Sequence, residues 1–316
     1  MEPLLTAYRL KALLHQYNHP LCSVSGGSDS DLLIHLCESA RGDRPVFYMF
    51  FDTGIEYQAT HNHLDELEAW YGIKIHRLRA ETPVPAGCKK YGQPFLSKRV
   101  SENIERLQAH GFRWENAPFD VLMARYPNCK KALRWWCNEW GEGSSFNISA
   151  NKLLKEFMIE NPPRFAISAK CCDGAKKATG KAGDKVFCPD LKITGERRAE
   201  SGARATAIHD CGYEDVRRRT ANIYRPLFFW TDEEKALYKR RHRIGYSDAY
   251  EVYGLTRTGC AGCPFGSKFE NELDVIRQYE PRLYGAVNAI FGDSYQYRRR
   301  YNEYKGLGRT PRKESS

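Results

Sequence analysis

The sequence has no long apolar run. Its longest, Val46 to Phe51, is the length of a strand and far short of the roughly 20 residues a membrane helix needs, so no membrane association is expected. The opening segment MEPLLTAYRLKALLHQYNHP has no apolar stretch followed by a small-residue cleavage site. It reads as an amphipathic helix rather than a secretory signal, and a cytoplasmic location follows as the expectation. Internal repeats and low-complexity tracts are also missing, which leaves a globular reading. Acidic residues are too few to balance the basic ones: 49 Lys and Arg stand against 39 Asp and Glu, a net charge of +10. A chain charged in this way attracts polyanions. The basic residues gather at Arg217-Arg218-Arg219, at Lys239-Arg240-Arg241 with Arg243, and at Arg298-Arg299-Arg300. Each group is either part of a nucleic-acid-binding patch or a solvated basic face.

Cysteine is the residue present in excess, with eleven copies. In a chain expected in the cytoplasm a disulfide framework is not expected, because thiols there stay reduced. Metal binding or redox chemistry is the better reading where cysteines stand at ligand spacing. Two places qualify. Cys171-Cys172 is a vicinal pair, and Cys260-Ala261-Gly262-Cys263 is a CxxC followed by Pro264. A CxxC brings two thiolates to one metal centre, and adjacent cysteines suit a cluster better than a single ion, because each sulfur can bind a different iron. A zinc site with four cysteine ligands and a redox CxxC with unrelated buried cysteines remain open. Cys22, Cys37, Cys88, Cys129, Cys137, Cys188 and Cys211 are read as core residues or bystanders.

The first half alternates strand-like and helix-like segments. Leu21 to Val24, Val46 to Phe51 and Ile73 to Leu78 read as buried strands. Helices are expected around Asp31 to Ser39 and from about Glu56 to Tyr71, with further strands at Phe165 and near Val186 and Ile193. This βαβαβ rhythm predicts a doubly wound parallel sheet with helices on both faces. Gly87 to Gln93 reads as a basic loop, and the Trp-rich stretch around Trp135, Trp136 and Trp140 reads as packing rather than as a base-stacking platform. Beyond Tyr224 the texture becomes helical and rich in Tyr and Arg. The expected division is an α/β domain over residues 1–225 and a basic, helical C-terminal region over 226–316.

Ser25-Gly26-Gly27-Ser28-Asp29-Ser30 follows the first strand and opens a helix. A loop in that position offers free backbone N–H groups and the positive end of the helix dipole, which together bind phosphate. Its glycines allow close approach and unusual backbone angles. Ser25, Ser28 and Ser30 add hydroxyls, and Asp29 or Ser30 can cap the helix. Gly174 to Lys181 (GAKKATGK) looks like a Walker A loop but fails: five residues separate its glycines, and Ala182 stands where Ser or Thr should bind magnesium. It reads as a basic helix and turn.

The SGGxDS hexapeptide resembles the signature of PP-loop ATP pyrophosphatases, which cleave ATP between the α and β phosphates. Asp52-Thr53-Gly54 ends the second strand at the carboxyl edge, where open α/β sheets bind ligands. Gly195, Arg197, Glu200, Ser201 and Arg204 resemble the G-x-R-x-x-[ED/Q]-S-x-x-R pattern of the phosphoadenosine phosphosulfate (PAPS) reductase family. Pro226-Leu227, Trp230 and Asp232-Glu233 resemble that family's P-L-x-x-W stretch. The Cys171-Cys172 pair before the arginine pattern and Cys260/Cys263 after it, with Tyr91 to Ser101, are similar to an iron–sulfur bacterial and phage branch.

The resemblance implies an adenine nucleotide alpha hydrolase-like fold with a helical C-terminal region. It implies that Ser25 to Ser30 hold the phosphates of ATP with Mg2+, or of APS or PAPS. Asp52, Thr53 and Gly54 would lie near the adenosine; Arg197 and Arg204 would clamp the anion with guanidinium forks. Asp29, Arg197 and Arg204 would carry the chemistry, and Cys171, Cys172, Cys260 and Cys263 would hold a [4Fe-4S] cluster or, alternatively, Zn2+. Ser28 stands where the family's loop commonly has Lys, so one charge is missing. Assimilatory reductases of the family carry a nucleophilic cysteine near the C-terminus, and no cysteine follows Cys263. The expected function is therefore activation of a substrate by ATP, with AMP and pyrophosphate released, for sulfur transfer, with nucleic acid as a candidate substrate and a sulfur-donor or electron-donor protein as partner. A sulfonucleotide reductase releasing sulfite, and a non-enzymatic nucleotide- or nucleic-acid-binding iron–sulfur protein, are the alternatives.

Overall fold

The computed structural model describes residues 2–199, 210–213, 221–266 and 268–307. The chain forms two compact units, each built from two stretches. One comprises Met1–Pro83 and Gly174–Ala261, the other Val84–Asp173 and Gly262–Ser316. A cut at residue 225 does not reproduce these units. The helical segment between the third and fourth strands forms its own core and takes the C-terminal helices with it, which a left-to-right change of texture does not reveal.

The first unit holds the sheet. Its strands are β1 (Pro20–Val24), β2 (Phe47–Asp52), β3 (Ile75–Arg79), β4 (Leu191–Ile193), β5 (Gly212–Tyr213) and β6 (Asn222–Tyr224), in the spatial order β3-β2-β1-β4-β6-β5. All neighbours run parallel except β5, which pairs antiparallel with β6. β1 is apolar on both sides, Leu21, Cys22 and Val24 being buried together, as a parallel strand covered by helices must be. α1 (Glu2–Gln16), α2 (Ser28–Arg41) and α3 (Gln58–Tyr71) precede or connect the first three strands. Right-handed crossovers place α2 and α3 on one face, and the helix Thr179–Phe187, which returns in the opposite direction, on the other. The doubly wound parallel sheet is therefore the fold of this unit. The core joins Leu32, Leu33 and Leu36 of α2 to Cys22, Phe50 and Ile193 of the strands, and to Leu227 and Trp230 beyond β6.

The second unit is helical. Its core is aromatic: Phe95, Trp135, Trp136, Phe157, Tyr297 and Tyr301 are all buried, so the tryptophan pair packs rather than stacks on a ligand. Three expected features differ. Val186, expected near a strand, lies in the helix Thr179–Phe187 of the sheet unit. Val84–Tyr91 is a helix, α4, rather than a basic loop, because Gly87 and Cys88 face the interior while Lys89 and Lys90 stay outside. The Phe165 segment adds no strand to the sheet; it makes a single bridge, Gln93 to Ile167, inside this helical unit.

A buried ion pair ties the sheet unit together. Asp31 of α2 and Lys239 of the helix Asp232–His242 are 2.8 Å apart, and both side chains are 1 % exposed. His63 of α3 adds a bond from Nε2 to the other Asp31 oxygen at 2.9 Å, and the Lys239 ammonium lies 3.5 Å over the Tyr246 ring. Removing one partner of a buried pair leaves an uncompensated charge, which costs about 3–5 kcal/mol. Lys239→Ala is expected to lose that much in urea unfolding; a loss under about 1 kcal/mol, the size of an exposed pair, would mean that Asp31 is solvated in the folded protein. Burial opposes protonation of His63, but Asp31 and Glu66 outweigh it and raise the pKa above the ordinary value. A raised histidine stabilises the fold while it is charged. The stability difference between wild type and His63→Gln is thus expected to be largest below about pH 6.5 and to shrink as pH rises through the higher folded value. A difference that grows with pH would reverse the assignment.

Candidate functional site

The order of the strands reverses between β1 and β4, and ligands of open α/β sheets bind at the carboxyl ends of the strands flanking such a point. β1 ends at Val24 and β4 at Ile193, so Ser25–Ser30 and Thr194–Arg197 emerge side by side. A Cβ on Gly195 would press on Leu33 Cδ1 at 3.2 Å and touch Asp29 Cβ at an ordinary 3.6 Å, so the two segments lie close together.

The loop is built around its own hydroxyls. The Ser25 N–H donates to Ser30 Oγ at 2.7 Å, and the two serine hydroxyls lie 3.1 Å apart. Gly26 takes φ +65°, and a Cβ there would stand 2.6 Å from Thr60 Cγ2 of α3. The Gly27 carbonyl accepts from Ser30 N–H at 2.8 Å, starting α2. Ser28 is 7 % exposed, and its Oγ is buried with no hydrogen-bond partner among the described residues. An orphaned buried hydroxyl costs free energy unless a ligand or water completes it. The Ser28 N–H donates to the Tyr250 hydroxyl at 3.3 Å, and Tyr250 lies 3.3 Å from Thr258 Oγ1.

Cations converge beside this loop. Arg197 Nε donates to one Asp29 oxygen at 3.2 Å, and Lys235 Nζ to the other at 2.9 Å. Arg197 also pairs with Asp232 at 2.8 Å and donates to the Trp230 carbonyl at 3.4 Å. Burial disfavours the Arg197 charge, but Asp29 and Asp232 outweigh it and raise its pKa. On β2's carboxyl side, Glu56 organises the Asp52-Thr53-Gly54 turn. Its carboxylate accepts from the N–H groups of Thr53 (2.9 Å), Gly54 (3.0 Å) and Ile55 (3.2 Å), while Asp52 Oδ1 also accepts from Gly54. Thr53 Oγ1 lies 3.4 Å from Cys260 Sγ, and Ala261 N–H donates to the Ile55 carbonyl at 2.8 Å.

The helical unit holds Cys88, Cys171, Cys172 and Cys263. The bond from Cys172 favours the Cys171 thiolate, but the bond with Cys88, burial, and the charges of Cys88 and Cys263 outweigh it and push the thiol up. Cys88 of α4, read as a core residue or bystander, is buried at 5 % exposure and also acts on the Cys171 thiol. Cysteine spacing could not reveal this, because about eighty residues separate Cys88 from Cys171. These thiols have the donor chemistry of a soft-metal site. Among the described residues no three His, Cys, Asp or Glu side chains converge on one metal ion.

The site residues Ser25–Ser30, Asp52, Thr53, Gly54, Gly195 and Arg197 all lie in the sheet unit, at the carboxyl ends of β1, β2 and β4. Glu200, Ser201 and Arg204 lie outside the described residues, as do Arg217, Arg218 and Arg219. Lys235, Tyr250, Thr258 and Glu56 were not singled out from the sequence; the polar residues of two helices and two loops carry no spacing that announces them. Two basic groups are partly spent on internal bonds. Lys239 is buried on Asp31, Arg298 donates to the Pro264 and Gly266 carbonyls, and Arg299 pairs with Glu270 at 2.7 Å.

A hydroxyl-lined loop lies at the switch point of a doubly wound sheet, with cations beside it. Residues 19–110, which include the hexapeptide, match the model of the phosphoadenosine phosphosulfate reductase domain. The chain is 26 % identical over 266 residues to an uncharacterized protein of Methanocaldococcus jannaschii, covering 84 % of this chain but only 39 % of that protein. It is 28 % identical over 260 residues to an uncharacterized 37.8 kDa protein of Escherichia phage 186, covering 79 % of this chain and 68 % of that one. Among solved structures it is similar to a phosphoadenylyl-sulfate reductase from Candida auris in its phosphate complex, at 12 % identity and a TM-score of 0.46, covering 81 % and 87 % of the two chains. No helix among the described residues is long and apolar enough to cross a membrane.

Gly26→Ala tests the loop's construction. It combines a left-handed backbone, costing about 1–2 kcal/mol for an L-residue, with a clash on the Thr60 methyl. The substitution is expected to cost more in wild type than in a Thr60→Ser background, where the methyl is gone. Equal costs in a double-mutant cycle of urea unfolding would show that the methyl is not the obstacle.

Proposed function

We propose that this chain binds an adenine nucleotide with its phosphates on Ser25–Ser30 and uses it to activate a substrate for sulfur transfer. The observation that carries the reading is the buried, unpartnered Ser28 hydroxyl in a loop whose backbone and cations suit phosphate. The N–H groups at the start of α2 would take the phosphate oxygens. Asp29 holds Arg197 and Lys235 in place, and Arg197, with Arg204 as its expected second member, would clamp the anion. Asp52, Thr53 and Gly54 would face the nucleoside, on a turn held by Glu56.

In the reaction, a substrate oxygen attacks the α-phosphorus. The bond to the bridging oxygen breaks, pyrophosphate leaves with the electron pair and with Mg2+, and the substrate oxygen loses its proton to solvent. A sulfur nucleophile then displaces AMP from the adenylated substrate. The cation pair beside the loop would stabilise the charge that develops on the transferring group. Cys171, Cys172 and Cys263 are the thiols of the helical unit that would hold an iron–sulfur group. Such a group supplies sulfur or electrons when bound.

Two measurements check this. Protein purified without oxygen is expected to convert ATP and Mg2+ to AMP and pyrophosphate once an acceptor is present. ATP left intact with every acceptor, together with sulfite released from APS or PAPS in the presence of a thiol reductant, would replace the reading with the reductase. Iron and acid-labile sulfide are expected to be lost in Cys171→Ser and Cys263→Ser and kept in Cys22→Ser, whose thiol packs on Cys37 in the sheet core. Zinc in place of iron, or equal iron in all three variants, would remove the cluster.

A further inference from the structure

The loop resembles a family whose members commonly carry a lysine where this chain has Ser28, so one positive charge is missing from the phosphate loop itself. The helix Asp232–His242 supplies a cation at the same place. Lys235 reaches Asp29 with its Nζ at 2.9 Å, and its side chain is 16 % exposed, so most of its stem is covered. Its position on the helix is costly. Lys235 sits in the first turns, after Asp232, Glu233 and Glu234 and behind a Thr231/Glu234 capping box, where the helix dipole favours anions and opposes cations. A lysine held there, pointed at the residue that follows the orphaned Ser28 hydroxyl, has a role beyond its own helix.

The local charges make the role specific. Asp29 and Asp232 are two carboxylates; Arg197 and Lys235 are two cations. With Lys235 the group is neutral, and without it the loop is flanked by a net negative charge that repels phosphate. A flexible ammonium on four methylenes can also exchange a carboxylate oxygen for a phosphate oxygen at little cost in geometry, which a rigid guanidinium already forked onto two partners does less readily.

We propose that Lys235 is the phosphate-binding lysine of this site, taking from a separate helix the place of the charge its loop lacks. The proposal rests on the nucleotide reading above and adds to it the residue that neutralises the phosphate chain. The test titrates ATP, inorganic pyrophosphate and adenosine, each with Mg2+, into wild type, Lys235→Gln, Lys235→Arg and Lys185→Gln by calorimetry. Lys185 is an exposed cation of the helix Thr179–Phe187 and controls for net charge.

Lys235→Gln is expected to weaken ATP and pyrophosphate by about 10- to 100-fold, the range for a lost bond to a charged group. Adenosine binding should stay unchanged. Lys235→Arg should recover most of the affinity, and Lys185→Gln should bind as wild type. ATP bound equally by Lys235→Gln and wild type would overturn the proposal and leave the nucleotide reading intact. Adenosine weakened in the same proportion as ATP would also overturn it, by making Lys235 structural. Wild type that binds none of the three ligands would overturn both.

Discussion

The sheet unit depends on how two carboxylates at the start of α2 are neutralised. Asp29 and Asp31 are two residues apart, so on a helix they face in different directions. Lys235 and Lys239 are four apart and share a face of the helix Asp232–His242. The outer pair, Asp29 with Lys235, stays partly exposed at the phosphate loop, whereas the inner pair, Asp31 with Lys239, is sealed. Acidic residues in a first turn suit the helix dipole, but unpaired they would compete with any phosphate for the same N–H groups. The lysine helix removes that competition and, through the buried pair, fixes α2 at the depth where its N-terminus meets the end of β4.

That depth matters because the site is assembled from strand ends rather than from one segment. Ser25 leaves β1, Asp52 ends β2, and Thr194 leaves β4. The glycines serve close approach: Gly26 sits under the Thr60 methyl and Gly195 against Asp29 and Leu33. Thr194 N–H bonds to the Tyr224 carbonyl and Arg198 N–H to the Phe228 carbonyl, so the segment carrying Arg197 is pinned on both sides by backbone. Arg197 can therefore be almost buried and still aim at Asp29.

Much of this was legible in the residues. The alternation of apolar runs and periodic stretches located β1, β2, β3, α2 and α3 within a few residues, because each apolar run has flanking turn residues. The hexapeptide marked the loop. What stayed hidden has a common cause: residues whose role is set by a neighbour distant in the chain. Lys235, Tyr250 and Glu56 look like ordinary surface polar residues until the fold places them, and Cys88 has no ligand spacing to Cys171. Arg298 and Lys239 looked like parts of basic patches, yet both are buried and bonded, since a run of like charges does not say which member turns inward. The second unit escaped because it interrupts the sheet between β3 and β4 and is completed by helices that follow the last strand, a pattern that periodicity does not report.

The Tyr250 hydroxyl bears on how the loop is used. It accepts the Ser28 N–H at 3.3 Å, a long bond, and it lies 3.3 Å from the Thr258 hydroxyl. Burial raises the Tyr250 pKa although the bonds from Thr258 and Ser28 act the other way, so at neutral pH the oxygen is a neutral acceptor. A phosphate oxygen in that place would bring a full charge and a shorter, charge-assisted bond, about twice as strong as a neutral one. The same N–H therefore favours an anion over the tyrosine. A hydroxyl long-bonded to the loop holds the N–H satisfied and would yield it to a phosphate oxygen, so the start of α2 would carry no unsatisfied donor there in either state.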